Sequence, residues 1–507
     1  MLKKLLLITF ILFTFPTMGY EDQERQTIAN SSEEAKKFIE LYKGYKGYAY
    51  VFSEGLDVRY LPQSEGLIDD KGSVRRRFQQ TSIRESQYKY FFRHNKYRNY
   101  AVVNSKGKIT QLVLEVESRK SINHSRLIDF ISNLNSLEYL SIRSGWESFK
   151  EVDLENNSKL KQVYFDKIKV EKIILPQNGL LEVIDFYTKK NVIFENLKYQ
   201  RNLKAMNLIG GNIDLSEISV LDKMENLYIS HTKHIKGVNN DDFVLSKLKN
   251  LERLYIPNSE NIEIIGLEKL NKLKKLSLGQ VVDYSGVVIP PSVEYLSSGG
   301  KLNTKLPDLS RSKNLKTFIS KKTSITDLNG LSDLPYLEEV IIENSKLQSL
   351  NGLNNLPSLK TLTIHYGELK TIGDIHSLNA LEEIELEYQQ FENLDGLKNL
   401  PSLKSLIING GTIKSLDKLE GIDNLEKLGI MNQEIRKVEN IDHFKNLKYV
   451  SYRGNPIEEL DFKNIESLAY CKVDISETKF YESMSDIDKT KLKNLHRKGN
   501  INGKQGI

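Results

Sequence analysis

The chain has 507 residues, 39% of them hydrophobic, a formal net charge of +6 and a single cysteine, Cys471. One cysteine excludes an intramolecular disulfide framework, so stability must come from a packed core. Beyond the first residues no run is apolar enough to span a bilayer, which excludes a polytopic membrane protein.

Met1 to Gly19 reads as a secretory signal. Lys3 and Lys4 supply the charged start, Leu5 to Phe15 the apolar stretch, and Thr17-Met18-Gly19 a small-residue cleavage site. The apolar stretch is short for a membrane anchor. No cysteine follows it, so lipid attachment is not expected. These features predict export to the periplasm, the cell surface or the medium.

Residues 20–108 are expected to form a small N-terminal cap of mixed structure. Glu33 to Lys43 reads as a helix with Ser31 or Ser32 as its N-cap. Tyr48 to Phe52 reads as a strand. The second half of this region is basic and rich in Tyr and Phe: Lys71 to Arg98 carries nine Lys/Arg against Glu85 alone. Such a stretch suits an acidic surface, or is simply a solvated flank.

Residues 109–480 repeat. The regular units open at Leu315, Leu337, Leu359, Leu381, Leu403, Leu425 and Leu447, 22 residues apart without a slip. Each opens with apolar residues in an L-x-x-L-x-L pattern, as in Leu359-Leu362-Ile364. Each then places apolar residues at every third position, as in Leu347, Leu350, Leu353 and Leu356. Looser openings precede them at Ile109, Leu137, Leu160, Leu181, Leu203, Met224, Leu251, Leu273 and Val293, and one more follows at Leu468 with Cys471 and Val473 inward. The pattern is that of a leucine-rich repeat: a short strand, a turn, and an irregular or helical back segment. One unit cannot close its own core, so units stack. The predicted fold is an α/β repeat, a curved leucine-rich repeat solenoid with a parallel β-sheet on its concave face. Residues 481–507 form a basic C-terminal tail; Phe480, Tyr481, Leu492 and Leu495 are placed to cover the last unit.

The 22-residue unit resembles that of bacterial secreted leucine-rich repeat proteins of the internalin type. The phrases Leu350-Asn351-Gly352-Leu353, Leu394-Asp395-Gly396-Leu397, Leu356-Pro357-Ser358-Leu359 and Leu400-Pro401-Ser402-Leu403 carry the resemblance. It implies an exported recognition protein acting in adhesion or host interaction. One departure stands out. Proteins of that type place Asn at the ninth repeat position, where its amide satisfies backbone groups at the turn. Here those positions are Thr323, Ser345, Gly367, Gln389, Gly411, Gln433 and Asn455. Hydroxyls, other amides, backbone or water must then complete the polar ladder. No LPxTG-like sorting motif is seen near the end, so wall anchoring is not expected.

The residue after each opening forms a charge ladder: Glu138, Lys161, Glu182, Lys204, Glu225, Glu252, Lys274, Glu294, Lys316, Glu338, Lys360, Glu382, Lys404, Glu426, Lys448. Signs alternate except at Glu225–Glu252, where an insertion lies. Parallel neighbours would set each acid between two bases. The ladder is structural. Function is expected at the other outward strand positions, on the concave face from about Tyr228 to Met431. The candidate partner-binding residues are Tyr228, Tyr255, Ile319, Ile341, His365, Glu383, Glu385, Glu387, Ile407 and Met431. Tyr offers apolar area with a hydroxyl and little rotamer entropy, and the unit at Leu381 adds a negative strip suited to a basic partner. The bland reading is that β-branched and aromatic residues suit strands.

His365 falls between Glu343 and Glu387 in one column of adjacent strands. A His with two carboxylates can ligate zinc, but zinc sites prefer more nitrogen or sulfur, so no metal is expected. No H-E-x-x-H, G-x-S-x-G, P-loop or Rossmann fingerprint is present. Cys471 reads as a buried thiol. The chain is therefore expected to be no enzyme and to use no cofactor. The predicted partner is a protein or a glycan, not nucleic acid, bound by a monomer. The alternative is an envelope scaffold without a diffusible ligand.

Overall fold

The computed structural model describes residues 32–41, 49–53, 99–116 and 124–490, without 190, 211–212, 215, 232–234, 237–243, 258–265, 280–283, 285–286, 374, 417–418, 420, 439–440, 442 and 461–470. The signal reading of 1–19, the basic stretch 71–98, the opening at Leu468 and the tail residues Leu492 and Leu495 lie outside the described residues. The chain forms two compact units, Met1–Leu254 and Tyr255–Ile507.

The first unit begins with the helix Glu33–Leu41. Of the two serines offered as its cap, Ser32 does the work: its Oγ accepts from Ala35 N at 3.1 Å. The strand Ala49–Ser53 runs parallel to Asn99–Val103, which pairs antiparallel with Ile109–Val116. From there the pairing is parallel throughout, through Tyr139–Ser144, Gln162–Ile174, Val183–Thr188, Ala205–Ile209 and Asn226–Ser230. Every opening from Ile109 to Met224 is fully buried.

The back of this unit follows the expected irregular or helical path at Leu197–Tyr199, Ser216–Val220 and Val244–Lys247, which are short helical turns, and departs from it in one stretch. The helix His124–Ser132 backs the first turn. Beyond it, the second half of Gln162–Ile174 pairs with Ser148–Asp153 and Ile193–Glu195. The inward residues there, Val152, Val170 and Ile173, are β-branched. They favour extended backbone where the regular units use leucine.

The second unit is the regular one. Parallel strands run from Lys275–Leu278 through Tyr295–Gly299, Thr317–Lys321, Glu339–Glu343, Thr361–His365, Glu383–Glu387, Ser405–Asn409, Lys427–Met431 and Tyr449–Ser451 to Lys472–Asp474. Inward and outward residues alternate along each, as a pleated strand requires. Leu347, Leu350, Leu353 and Leu356 are all fully buried on the back. The helix Lys479–Ser483 follows the last strand, capped by Thr478 Oγ1, which accepts from Tyr481 N at 3.0 Å.

The ninth-position ladder is completed by hydroxyls and by amides: Ser345 Oγ accepts from Leu347 N at 3.3 Å, and asparagine and glutamine serve further turns. Asn455 Nδ2 donates to Ile430 O at 2.6 Å and its Oδ1 accepts from Ile435 N at 3.2 Å, both in the preceding turn. Gln389 repeats the set one methylene further out, with Nε2 donating to Ile364 O at 3.2 Å and Oε1 accepting from Leu369 N at 3.4 Å. Gln433 likewise accepts from Ile413 N at 3.1 Å. The extra length is accommodated because the preceding turns carry Gly367 and Gly411 at that position.

The charge ladder forms, but as discrete pairs. Each of Lys161, Lys204, Lys316, Lys360, Lys404 and Lys448 reaches the acid of the turn before it, with N–O distances of 2.7, 3.3, 2.8, 3.1, 2.9 and 2.6 Å. The acids stand between two bases as expected, since Lys316 is also influenced by Glu338 and Lys404 by Glu426, but the bond is made to one of them. One ammonium can be held close by one carboxylate, and the next acid is left to the next lysine. The bonded Lys316 holds the Glu294 carboxyl below its usual range, and the bonded Glu382 holds Lys404 above its own.

Candidate functional site

On the regular strands the outward residues fall into aligned columns. One column runs Ile319, Ile341, Thr363, Glu385, Ile407, Gly429. The next runs Lys321, Glu343, His365, Glu387, Asn409, Met431 in the same register. Ile319, Ile341 and Ile407 are half-buried, Glu383 is exposed, and Glu385, Glu387, His365 and Met431 are half-buried. Ile319 and Ile341 are therefore neighbours, and Thr363 and Glu385, on two intervening strands, separate Ile407 from that pair. Met431 stands two strands from Glu387, beyond Asn409.

Two of the expected residues do not join this group. Tyr228, in the first unit, is half-buried beside Asn207. Tyr255 is only 7% exposed and is not an open anchor. The alternation of a strand sets which face a side chain leaves from, but neighbouring strands stand about 4.8 Å apart, so a large ring can lie down among them. The first unit shows the same effect. Tyr139, Tyr164, Val183 and Ala205 occupy outward positions, pack with Val113, and are buried. The rings of Tyr139 and Tyr164 tilt against each other at 5.2 Å.

The acidic strip is partly committed. Glu343 gives its carboxylate to Lys321 at 2.9 Å. Glu387 accepts a long bond from Asn409 Nδ2 at 3.4 Å. The carboxylates nearest His365 are those of Glu385 and Glu387, at 3.8 and 3.9 Å from Nε2. The column alignment of Glu343, His365 and Glu387 is as expected, yet Glu385 from the neighbouring column takes the place expected of Glu343.

Two functional candidates were missed in the sequence. Tyr366 and Tyr388 follow directly on the strands that carry His365 and Glu387. They are 53% and 51% exposed, and their rings stack at 5.0 Å with an interplanar angle of 9°. Both have left-handed backbone, φ 54° and 55°. The equivalent positions in other turns are Lys322, Asn344, Gly410, Asn432 and Gly454, also with positive φ. Asn and Gly suit that conformation; a bulky aromatic does not. The sequence signal was there: two tyrosines 22 residues apart in a column otherwise rich in Asn and Gly.

No family model matches the chain, and no curated protein matches it. Among solved structures it is similar to a chain of the Drosophila Toll–Spatzle complex, at 15% identity over 75% of this chain and 51% of that one, with a TM-score of 0.53. The chain has the leucine-rich repeat fold. It is also similar to the Listeria monocytogenes internalin InlF, at 21% identity over 56% of this chain and 77% of that one (TM-score 0.41), and to InlJ of the same organism, at 18% identity over 58% and 62% (TM-score 0.43). Solved internalins are thus among the structures to which this chain is similar, the type of protein that its sequence phrases resemble. No helix among the described residues is long and apolar enough to cross a membrane.

Proposed function

We propose that the chain is an exported recognition protein that binds a protein partner on the outward strand face of its second unit. The observation that carries this reading is the Tyr366–Tyr388 stack. Two half-exposed aromatic rings stand here on left-handed backbone, which a bulky side chain adopts at a cost, and strain of this kind is typically retained for a use. Beside them stand Ile319, Ile341 and Ile407 as apolar contact and Glu383, Glu385 and Glu387 as acids. That combination suits a partner segment bearing Lys or Arg, which can lie over a tyrosine face and pair with a carboxylate. Toll, which shares the fold, is seen in complex with Spatzle.

The test is capture of partners by the full chain, followed by affinity measurements on variants. Tyr388→Asn and Ile341→Ala should each weaken binding roughly 30-fold if they truncate a true anchor. Glu385→Lys should chiefly slow association, more so at low ionic strength. Unchanged affinity in all three would remove this face and leave the basic stretch 71–98 as the leading candidate. Failure to capture any ligand from host or envelope extracts would favour an envelope scaffold.

A further inference from the structure

We propose that His365, Glu385 and Glu387 form a binding site for a first-row divalent transition-metal cation such as zinc. The three come from adjacent parallel strands. Register sets Glu385 opposite Thr363 and Glu387 opposite His365, so all three side chains leave the same face of the sheet. One potential ligand atom from each lies within 4.8 Å of the other two.

The decisive observation is His365 Nε2. It is buried and has no hydrogen-bond partner. The two carboxylate oxygens nearest it, at 3.8 and 3.9 Å, are too distant for hydrogen bonds. A buried polar atom without a partner is costly. A cation between the three groups satisfies it. Zinc binds imidazole nitrogen and carboxylate oxygen at about 2.0–2.2 Å, which puts tetrahedral ligand pairs about 3.4 Å apart. The two His365–carboxylate separations exceed this by about half an ångström and the widest separation in the group by up to about 1.4 Å, a gap that the ends of two flexible glutamates would close by swinging toward each other.

The surroundings agree. Glu343, the other neighbour of His365 in its column, is engaged by Lys321 at 2.9 Å and does not compete. Asn409 Nδ2 bonds the Oε1 atom of Glu387 at 3.4 Å, which turns Oε2 toward the histidine; such bonds commonly orient ligating carboxylates. One nitrogen with two oxygens is poorer in nitrogen than most zinc sites, but it selects zinc and its first-row neighbours over calcium and magnesium, which take oxygen alone. Three protein ligands leave a coordination position for water or for a donor group on a partner.

The competing occupant is a proton, with His365 ion-paired to the two glutamates. Metal-stripped full-length protein, titrated with zinc chloride and assayed for bound zinc after desalting, separates the two. One zinc equivalent should disappear in His365→Ala and in Glu387→Gln and persist in Glu343→Gln. Zinc should raise the melting temperature of the parent and of Glu343→Gln, because a ligand bound only by the folded state stabilises it. Glu385→Gln, close to isosteric, keeps the test available if the alanine variant folds poorly. Zinc stoichiometry unchanged in His365→Ala, or no zinc bound by the parent, overturns the proposal. No partner is needed for the measurement, so its outcome is independent of the binding function proposed above.

Discussion

The Oε1 atom of Gln389 lies 2.6 Å from the point where a Cβ on Gly367 would stand. The two residues are a matched pair, one turn apart. Gln389 reaches back to satisfy Ile364 O and Leu369 N, and Gly367 leaves it the room. Gln433 and Gly411 repeat the arrangement at 2.7 Å. Gly367→Ala should therefore expel a buried amide and leave backbone groups unpaired, costing about 1–3 kcal/mol. Adding Gln389→Asn should recover part of the loss, because the shorter Asn455 makes the same bonds. Urea unfolding of both single variants and the double variant would show it; strictly additive losses would mean that the two side chains do not meet.

The charge ladder predicts a salt dependence. Lys360 is bonded to Glu338 at 3.1 Å, while Glu382 is held by Lys404 at 2.9 Å. Lys360→Glu removes one pair and sets the new carboxylate between Glu338 and Glu382. These side chains are about half exposed, so the effect is small and screened. Thermal melts should show a larger drop at low than at high ionic strength. Equal drops would argue that the ladder residues do not face one another.

Cys471 gives a pH dependence. The thiol is fully buried, and burial pushes it up to about 11. Burial, aided by the neighbouring Cys471, also raises Tyr452, whose hydroxyl has no partner. Both groups are neutral when protonated, so folding favours the protonated forms. The contribution from Cys471 is fully present below the ordinary thiol value of about 8.5 and is lost as pH rises through about 11. Urea midpoints should fall between pH 8.5 and 11, less steeply in Cys471→Ala. Folded protein at pH 8 should react with a thiol reagent far more slowly than unfolded protein; rapid stoichiometric labelling without denaturant would contradict the burial.

Tyr366 and Tyr388 should trade stability against binding. Asn at either position matches Asn344 and Asn432, which share its left-handed backbone. Tyr366→Asn and Tyr388→Asn should keep or raise the melting temperature, because strain at such positions is of order 1–3 kcal/mol. The same changes should weaken capture of the partner. A clear fall in melting temperature for both variants would show the stack to be a folding feature.

Periodicity along the chain determined the buried set. Apolar residues at fixed offsets of 22 mark the interior directly, and the openings from Leu315 to Leu447 are all buried, with Leu447 the least so at 4%. The charge ladder was legible for the same reason, since register in a parallel sheet follows from the repeat. The internalin-like resemblance rested on these local patterns. Tertiary structure decided what happens between turns. It buried Tyr255, paired six of the ladder lysines with the acid before them, and turned one stretch of the back of the first unit into strand. It brought Glu385 to His365 while Lys321 took Glu343, and it stacked Tyr366 on Tyr388. These outcomes depend on side-chain length, rotamer and competition across a spacing of about 4.8 Å, none of which is carried by the spacing of residues along the chain.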